Sequence, residues 1–377
     1  MCGFVFALNY ENEKVDENLI QSMNKKIIHR GPDQEGYYFI DNIGLGFRRL
    51  SILDLSDAGR QPMFSRDARY VITFNGEIYN YIELREKLKK AGYQFRSDSD
   101  TEVLLNAYIE WGEACLNKLN GMWAFLIYDS VEKTVFGARD RFGVKPLYIS
   151  NIDGHLLLAS EIKCIRDTPL YKPKTNFDTV AKFFIEGRLN DSRDTFFSGI
   201  TEIPCGTKFN IDRLGKIIIS QYWTIDASKP EYMKSDFAEK YFSLFEDAIK
   251  LRLRADVPIG VFLSGGLDST AIICSMARNW PNHAKEDELL HAFSFIDKEF
   301  DESVYINDTI TQTGATLHPF NKSANELYDL LDETLWFHDE PLHSMTALVG
   351  FSLMRLAKEN GIKVVLNGQG ADEIIAG

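Results

Sequence analysis

Two features are missing from the sequence: a long hydrophobic run and an excess of positive charge. No apolar stretch approaches the roughly 20 residues of a membrane-spanning helix, and the formal net charge is -13. The first residues carry no positively charged leader and soon turn acidic, so we expect neither a signal peptide nor a membrane segment. Because nucleic acids and anionic membrane surfaces bind basic patches, the charge argues against both as main partners. Phosphate ligands are still allowed, since local amides and a few cations can hold them.

Cysteine is scarce and irregularly spaced. The five cysteines are Cys2, Cys115, Cys164, Cys205 and Cys274. An odd number without CxxC spacing argues against a zinc site and against a disulfide framework. It is typical of a reducing compartment, so we expect a cytoplasmic protein in which four of these residues are ordinary buried thiols.

What the sequence does contain is a globular composition and enough length for two domains. Its 377 residues are 45% hydrophobic and 26% charged. Short β-rich segments with a few helices, one predicted from Tyr81 to Lys90 with Asn80 as its cap, indicate a layered α+β domain in the first part. Alternating strands and helices after a polar linker at 226–235 indicate an α/β domain with a parallel sheet. The predicted domains span 2–226 and 236–377.

One segment in the second half has the pattern of a phosphate-binding loop. A buried-type strand, 259–263, runs into SGGLDS, and a helix follows at once. Glycines allow backbone amides to converge on an anion, and the helix N-terminus adds partial positive charge. Ser264 and Ser269 supply hydroxyls, and Asp268 is placed to hold Mg²⁺. No lysine follows the glycines, so this is not a Walker loop.

SGGLDS resembles the pyrophosphate loop of ATP pyrophosphatases, which adenylate a substrate and release pyrophosphate. HAFSFIDKEFDES (291–303) and LNGQGADE (366–373) resemble two further motifs of that domain. The resemblance implies that ATP is bound by Leu263, Ser264, Gly265, Gly266, Leu267, Asp268, Ser269, Phe295, Asn367 and Gly368. It also implies Mg²⁺ at Asp268 and Asp372, and an acceptor site that includes Gln369.

Cys2 directly follows the initiator methionine, which allows two interpretations. On its own it is more often a small apolar residue that opens a strand. Alternatively, Met1 is removed, and the freed α-amine, with an ordinary pKa of about 7.7–8.0, serves as general base for the thiol. A thiolate that attacks an amide also needs an oxyanion hole, for which the Asn75 side chain and the Gly76 N–H are suited.

Six segments favour the second interpretation: HRGPD (29–33), RRLSILD (48–54), NGEIYN (75–80), SDTEV (99–103), ARDRFGVKPLY (138–148) and ASEIK (159–163). In this order they resemble the glutaminase domain of class II glutamine amidotransferases, terminal-nucleophile hydrolases with an αββα fold. The resemblance implies a glutamyl thioester on Cys2. It implies that glutamine is bound by Arg49, Leu50, Ser51, Ile52, Leu53, Asn75, Gly76, Glu77 and Asp100. Arg49 would pair bidentately with the α-carboxylate, whereas Arg30 and Asp33 are expected to be structural.

The two domains together resemble the glutamine-hydrolysing asparagine synthetases over essentially the whole chain. The resemblance implies that ammonia released at Cys2 amidates aspartate through a β-aspartyl-adenylate, with ATP and Mg²⁺ as cofactors. It implies small-molecule partners, namely glutamine, ATP and aspartate, with a homodimer as a possible assembly.

Two features depart from the family pattern. Family synthetases usually have Gly-Glu-Gly where this chain has Gly368-Gln369-Gly370, and a glutamine cannot accept a proton or counter an ammonium. The chain also stops at Gly377, directly after the motif, so we expect a C-terminally truncated fragment. Two alternatives stay open: the same chemistry on another carboxylate acceptor, and a non-enzymatic nucleotide-binding regulatory protein.

Overall fold

The computed structural model describes residues 1–11, 13–189, 191–226, 236–280, 289–296 and 301–371. The chain divides into two compact units, Met1–Asp226 and Ala227–Gly377. The predicted linker, 226–235, lies outside the described residues except for Asp226. Within the described ranges, no helix is both long and apolar enough to cross a membrane.

The first unit is built on two antiparallel sheets. In spatial order, one sheet consists of β10 (Ile200–Glu202), β8 (Tyr148–Ile152), β9 (His155–Ala159), β1 (Gly3–Asn9), β3 (Ile43–Arg49) and β2 (Gln34–Ile40). The other consists of β12 (Ile217–Gln221), β11 (Thr207–Ile211), β7 (Thr134–Arg139), β6 (Gly121–Asp129), β5 (Tyr70–Ile78) and β4 (Met63–Phe64). The helices of this unit are α1 (Glu17–Lys25), α2 (Tyr81–Lys90), α3 (Asp100–Trp111), α4 (Lys163–Arg166) and α5 (Phe177–Glu186).

Strand β1 shows why the two sheets stack. Successive side chains of a strand point to opposite faces of the sheet. Phe4 and Phe6 pack in one buried cluster with Leu126 of β6, whereas Val5 packs with Ile20 of α1. Helices α2 and α3 cover the outer face of the second sheet. The layers are therefore helix, sheet, sheet and helix, which confirms the predicted αββα fold.

The ends of α2 and α3 are set by different contacts. The Ser99 side chain accepts a hydrogen bond from the N–H of Thr101 and caps α3. The predicted cap of α2 is wrong, because Asn80 makes no capping bond. Its side chain instead accepts from the Asn120 N–H and donates to the Lys118 carbonyl, each at 2.9 Å.

The second unit contains a parallel sheet, which confirms the predicted α/β class. In spatial order its described strands are β15 (Thr316–Phe320), β14 (His291–Phe295), β13 (Ile259–Phe262) and β16 (Val364–Leu366). Its described helices are α6 (Phe237–Arg252), α7 (Leu267–Asn279), α8 (Ser303–Thr313), α9 (Ala324–Tyr328), α10 (Leu331–His338) and α11 (Thr346–Glu359). Val261 packs with Met276 of α7, and Phe293 packs with Leu353 of α11. The carboxyl ends of the parallel strands meet at one edge, where a ligand site is expected.

Candidate functional site

Cys2 lies just before β1, beside the end of β3. The pairing of Gly3 with Arg48 aligns these two strand ends. As a result, the Cys2 Sγ accepts the N–H of Leu50 at 3.3 Å and lies 3.5 Å from the Leu50 carbonyl oxygen. The thiol is half-buried. The structure thus brings together the predicted nucleophile and the start of the predicted glutamine-binding segment.

A buried ionic cluster holds the backbone at Cys2. The Arg30 Nε donates to the Cys2 carbonyl at 2.9 Å, and its Nη1 donates to Glu161 at 2.9 Å. Burial works to raise the pKa of Glu161, but the hydrogen bond from His29 and the charges of Arg30 and Lys163 lower it to about 2. Glu161 is therefore ionised, and Arg30 anchors the chain end as a structural residue would.

The terminal amine in the structure belongs to Met1. Burial, assisted by the charge of Arg30, lowers the pKa of this amine to about 5. The predicted pairing of the thiol with its own amine requires that Met1 be removed.

Arg49 ends β3 and shapes the loop that follows it. Its Nη1 donates to the Gln34 side chain and to the Ser56 carbonyl, both at 2.8 Å. Its Nη2 donates to the carbonyls of Leu53 and Asp54. The guanidinium thus holds segment 50–56, which contains Leu50, Ser51, Ile52 and Leu53, in a closed loop. A bidentate pair with a carboxylate would have to share these donors.

Asp33 holds the same loop through two further hydrogen bonds. Its carboxylate accepts the N–H of Ser51 at 2.8 Å, and its own N–H donates to the Arg49 carbonyl at 3.0 Å. These bonds fit the structural role predicted for Asp33.

Asn75 is fully buried in β5, and its side-chain amide has no hydrogen-bond partner among the described residues. Buried polar groups are normally paired, because an unsatisfied one costs about 1–3 kcal/mol. The next residue, Gly76, has no room for a side chain: a Cβ there would lie 2.3 Å from the Met122 carbonyl oxygen. A buried amide that has no partner among the described residues, next to a tightly packed glycine, is suited to bind a ligand oxygen.

Alternate amides of β5 point to the edge that faces away from β6. The register between the strands is regular over Tyr70–Ile78, and in an antiparallel pair every second residue turns both polar groups to the same side. The Phe74 N–H donates to the Gln61 side chain at 2.6 Å, and the Ile78 N–H donates to Asp100 at 2.9 Å. Gly76 lies midway between them, so its N–H faces the same edge.

Asp100 is the first residue of α3 and is buried. Burial raises the pKa of its carboxyl group to about 6, although the amides of Ile78 and Thr101 and the charge of Arg49 work to lower it. A cation bound beside it would favour the ionised form. Glu77, which is also buried, precedes Ile78 on the same strand.

A cleft of about 860 Å³ lies beside the loop that follows β3 and the segment that precedes α3. Asp54 and Ser56 line it from the first segment, and Asp98 lines it from the second. The described residues that line the cleft do not include Cys2, Arg49, Asn75 or Asp100, so the cleft is distinct from the candidate site.

Lys145 is a buried cation to which the sequence motifs assigned no role. Its Nζ lies 3.0 Å from the Met1 sulfur. Burial, together with the charge of Arg30, lowers its pKa to about 8, while the charges of Glu77 and Cys2 raise it. The charge of Lys145 therefore interacts with those of Cys2 and of Glu77 on β5. In the sequence, its place within the motif ARDRFGVKPLY was the one sign that it belongs near the site.

The predicted phosphate loop joins β13 to α7 in the second unit. The hydroxyls of Ser264 and Ser269 lie 2.9 Å apart, and the Gly266 N–H donates to the Ser264 hydroxyl at 3.2 Å. The Gly265 N–H donates to the carboxylate of Glu302 at 3.0 Å. One amide of the loop thus already binds an anionic oxygen. Leu267 and Asp268 begin α7.

The second nucleotide motif packs against the first. Strand β16 pairs with β13, and a Cβ on Gly368 would lie only 3.0 Å from the Asp268 Cβ. The Gln369 N–H donates to the Asn367 side chain at 3.3 Å. Asp372 lies outside the described residues, so the structure places only Asp268 of the two predicted Mg²⁺ ligands.

Leu263 and Phe295, two of the residues predicted to bind ATP, lie at the carboxyl ends of β13 and β14. Phe295 is the last residue of β14. The N–H of Leu263 donates to the Phe293 carbonyl at 2.9 Å, and the carbonyl of Leu263 accepts from the Ser294 hydroxyl at 2.7 Å. Both backbone groups of Leu263 are therefore hydrogen-bonded to β14.

Comparison with known proteins agrees with both units. Residues 1–223 match the glutamine amidotransferase domain family, and residues 240–377 match the asparagine synthase family. Asparagine synthetase [glutamine-hydrolyzing] 1 of Bacillus subtilis is 35% identical over 381 residues, which cover 100% of this chain and 59% of that protein. Putative asparagine synthetase [glutamine-hydrolyzing] 2 of Methanocaldococcus jannaschii is 35% identical over 399 residues, which cover 100% of this chain and 75% of that protein.

These matches confirm the resemblance found in the motifs, and the chain spans 59% of the length of the Bacillus subtilis relative. The chain belongs to the glutamine-hydrolysing asparagine synthetase family, with a glutamine amidotransferase domain followed by an asparagine synthase domain.

Proposed function

We propose that this chain is the glutaminase and ATP-binding part of a cytoplasmic asparagine synthetase. It hydrolyses glutamine at Cys2 and uses the ammonia to amidate aspartate through a β-aspartyl-adenylate formed from ATP. The observation that carries the proposal is the buried side-chain amide of Asn75 beside Gly76, which has no hydrogen-bond partner among the described residues. An unpaired buried amide costs free energy that a bound ligand oxygen would recover.

The glutaminase reaction follows from the chemistry of the thiol. The Cys2 thiolate attacks the glutamine side-chain carbonyl, and the oxyanion is stabilised by the Asn75 amide and the Gly76 N–H. The terminal amine of mature Cys2 has taken the thiol proton to form this thiolate. When the tetrahedral intermediate collapses, the resulting α-ammonium gives a proton to the leaving nitrogen, which departs as ammonia and leaves a thioester. Water then hydrolyses the thioester to glutamate and restores the thiol.

Charge and shape around the thiol support glutamine as the substrate. We assign the α-ammonium to the carboxylates of Asp100 and Glu77, and the α-carboxylate to Arg49 and the backbone N–H groups of Ile52 and Leu53. Arg49 contributes positive charge there while its bonds to the Leu53 and Asp54 carbonyls keep the loop closed.

The second unit supports ATP as the other substrate. The Gly265 N–H already holds a carboxylate oxygen, so this amide fits a phosphate oxygen equally well, and the N-terminus of α7 adds positive potential. Gly368 lets the second motif approach Asp268. We assign Mg²⁺ to Asp268 and Asp372, where it would neutralise the pyrophosphate charge.

Aspartate is the proposed acceptor because the relatives are named asparagine synthetases. The test is to incubate the whole protein with glutamine, ATP, Mg²⁺ and aspartate, and to measure glutamate, asparagine, AMP and pyrophosphate. Glutamate and asparagine in equal amounts support the proposal. The absence of glutamate from a folded protein with an intact Cys2 would contradict it.

A further inference from the structure

Strand β4 is unusually short where it borders β5. It pairs Met63 with Ile72 and Phe64 with Val71 and then stops. The same antiparallel register, continued by two residues, would place Gln61 opposite Phe74. Pro62 stands between and has no N–H to donate to a sheet. The regular backbone ladder on this edge of β5 therefore ends just before the residues of the candidate site.

The side chain of Gln61 continues the ladder. It is 4% exposed, its Oε1 accepts the Phe74 N–H at 2.6 Å, and its Nε2 donates to the Phe74 carbonyl at 3.3 Å. One side-chain amide thus satisfies both polar groups of Phe74, as an opposing strand residue would.

The same amide group reaches a second element. The Gln61 Nε2 also donates to the hydroxyl of Thr101 at 3.2 Å. Thr101 directly follows Asp100, and Phe74 directly precedes Asn75. Gln61 therefore links Phe74, which precedes the proposed oxyanion donors, to Thr101, which follows Asp100. The Gly76 N–H lies on this edge between two fixed amides, that of Phe74 on Gln61 and that of Ile78 on Asp100.

We propose that Gln61 is a positioning residue of the glutaminase site, which holds the Asn75–Gly76 segment in register with Asp100. The inference rests on the proposed glutaminase function. Gln61 touches no reacting atom in this scheme. It fixes the distance between the oxyanion donors and the ammonium-binding carboxylate, and errors of about 1 Å in such positioning can cost a hundredfold in rate.

The test compares two reagents that alkylate Cys2. The glutamine analogue 6-diazo-5-oxo-L-norleucine needs the substrate-binding groups, whereas iodoacetamide needs only the thiol. In Gln61→Met, which keeps the length of the side chain but loses all three bonds, we expect inactivation by the analogue to slow about tenfold to a hundredfold. Modification of Cys2 by iodoacetamide, followed by mass spectrometry of its peptide, should stay within about twofold of wild type.

Two further variants make the result interpretable. Gln21→Met, on the exposed side of α1, makes the same chemical change away from the site and should alter neither rate. Gln61→Glu keeps an acceptor for the Phe74 N–H and should lose less than Gln61→Met. If Gln61→Met does not fold, Gln61→Glu carries the same comparison of reagents.

The outcomes separate this inference from the proposed function. If wild type hydrolyses glutamine and Gln61→Met reacts with the analogue at the wild-type rate, the inference is wrong and the proposed function stands. Equal slowing with both reagents would mean general disruption of the fold and would also reject it. If wild type itself does not hydrolyse glutamine, both the inference and the proposed function are rejected. Faster hydrogen exchange of the Phe74 amide in Gln61→Met supports the link independently of activity.

Discussion

The carboxylate of Asp100 accepts the backbone N–H of Ile78 at 2.9 Å. This bond fixes the first turn of α3 to the end of β5, two residues beyond Gly76. It places a buried carboxyl group, with a pKa raised to about 6 by burial, against the strand that carries the proposed oxyanion donors. The ionisation of Asp100 should therefore be visible in the chemistry at Cys2.

We predict that kcat/KM for glutamine rises with pH through an apparent pKa near 6. Only ionised Asp100 can pair with the α-ammonium of glutamine, and kcat/KM reports groups of the free enzyme. Asp100→Asn should remove this limb and weaken glutamine use. Asp98→Asn, at an exposed neighbouring carboxylate, should keep it. A limb that survives in Asp100→Asn would assign the titration elsewhere.

The same carboxyl group affects stability with a definite sign. Its pKa in the folded protein lies above its ordinary value of 3.8, so the folded state binds more protons between about pH 4 and 6. The contribution of Asp100 to stability is therefore full below pH 4 and is lost as the pH rises to about 6. Thermal unfolding of wild type and Asp100→Asn across this range should show the difference.

Asn75→Leu should separate activity from stability. Loss of one oxyanion donor should lower kcat for glutamine hydrolysis about a hundredfold to a thousandfold. Because the Asn75 amide has no partner among the described residues, an apolar side chain of similar size should leave the Tm unchanged or higher. Steady-state kinetics and calorimetry on one preparation would test both points. A large fall in Tm would show that Asn75 is structural.

Cys2→Ala should abolish glutamine hydrolysis and spare ammonia-dependent synthesis by the whole protein. In the proposed mechanism the thiol is the nucleophile only in the glutaminase reaction, whereas free ammonia enters the synthetase reaction directly. Mass spectrometry of the wild type should also show that Met1 is absent. A mature protein that keeps Met1 and still hydrolyses glutamine would rule out the terminal amine as base.

The motifs predicted the site residues that follow one another along the chain. Asn75 and Gly76 are adjacent, and Leu50 through Leu53 form one loop, so a local pattern was enough to propose them as site residues. The continuous apolar run of β1 also predicted a buried strand, because a sheet covers one face and α1 covers the other.

Residues whose contacts come from distant parts of the chain could not be found from local sequence patterns. Gln61 and Lys145 have polar side chains of types that usually lie on the surface, and only the folded chain shows that both are buried. The predicted cap at Asn80 failed for the same reason, since Lys118 and Asn120 compete for its side chain.

Glu302→Gln should strengthen ATP binding about tenfold. The carboxylate of Glu302 occupies the Gly265 N–H that we assign to a phosphate oxygen, so nucleotide must displace an anion there. A neutral amide competes less well for that N–H and does not repel phosphate. Isothermal titration of ATP and Mg²⁺ would measure the change. Glu359→Gln, at the exposed end of α11, is the matched control, and weaker ATP binding in Glu302→Gln would instead make Glu302 part of the metal site.

Gln369 stands where the family resemblance leads us to expect a glutamate. Its backbone N–H donates to the Asn367 side chain, and the residue is exposed. If the family's glutamate holds the α-ammonium of aspartate, glutamine forfeits a charge-assisted hydrogen bond worth about 1.5–3 kcal/mol. At about 1.4 kcal/mol per tenfold, the handicap for aspartate is about tenfold to a hundredfold.

We therefore predict that Gln369→Glu in the whole protein raises kcat/KM for aspartate relative to other acids. The opposite view is that the amide at this position faces the phosphates, where a carboxylate would repel the pyrophosphate. The two views differ in which substrate is affected: the first changes aspartate use at constant ATP affinity, and the second weakens ATP binding and leaves aspartate unimproved. Varying aspartate at saturating ATP, and then ATP at saturating aspartate, separates them. An unchanged kcat/KM for aspartate together with a raised KM for ATP would assign Gln369 to the phosphate side.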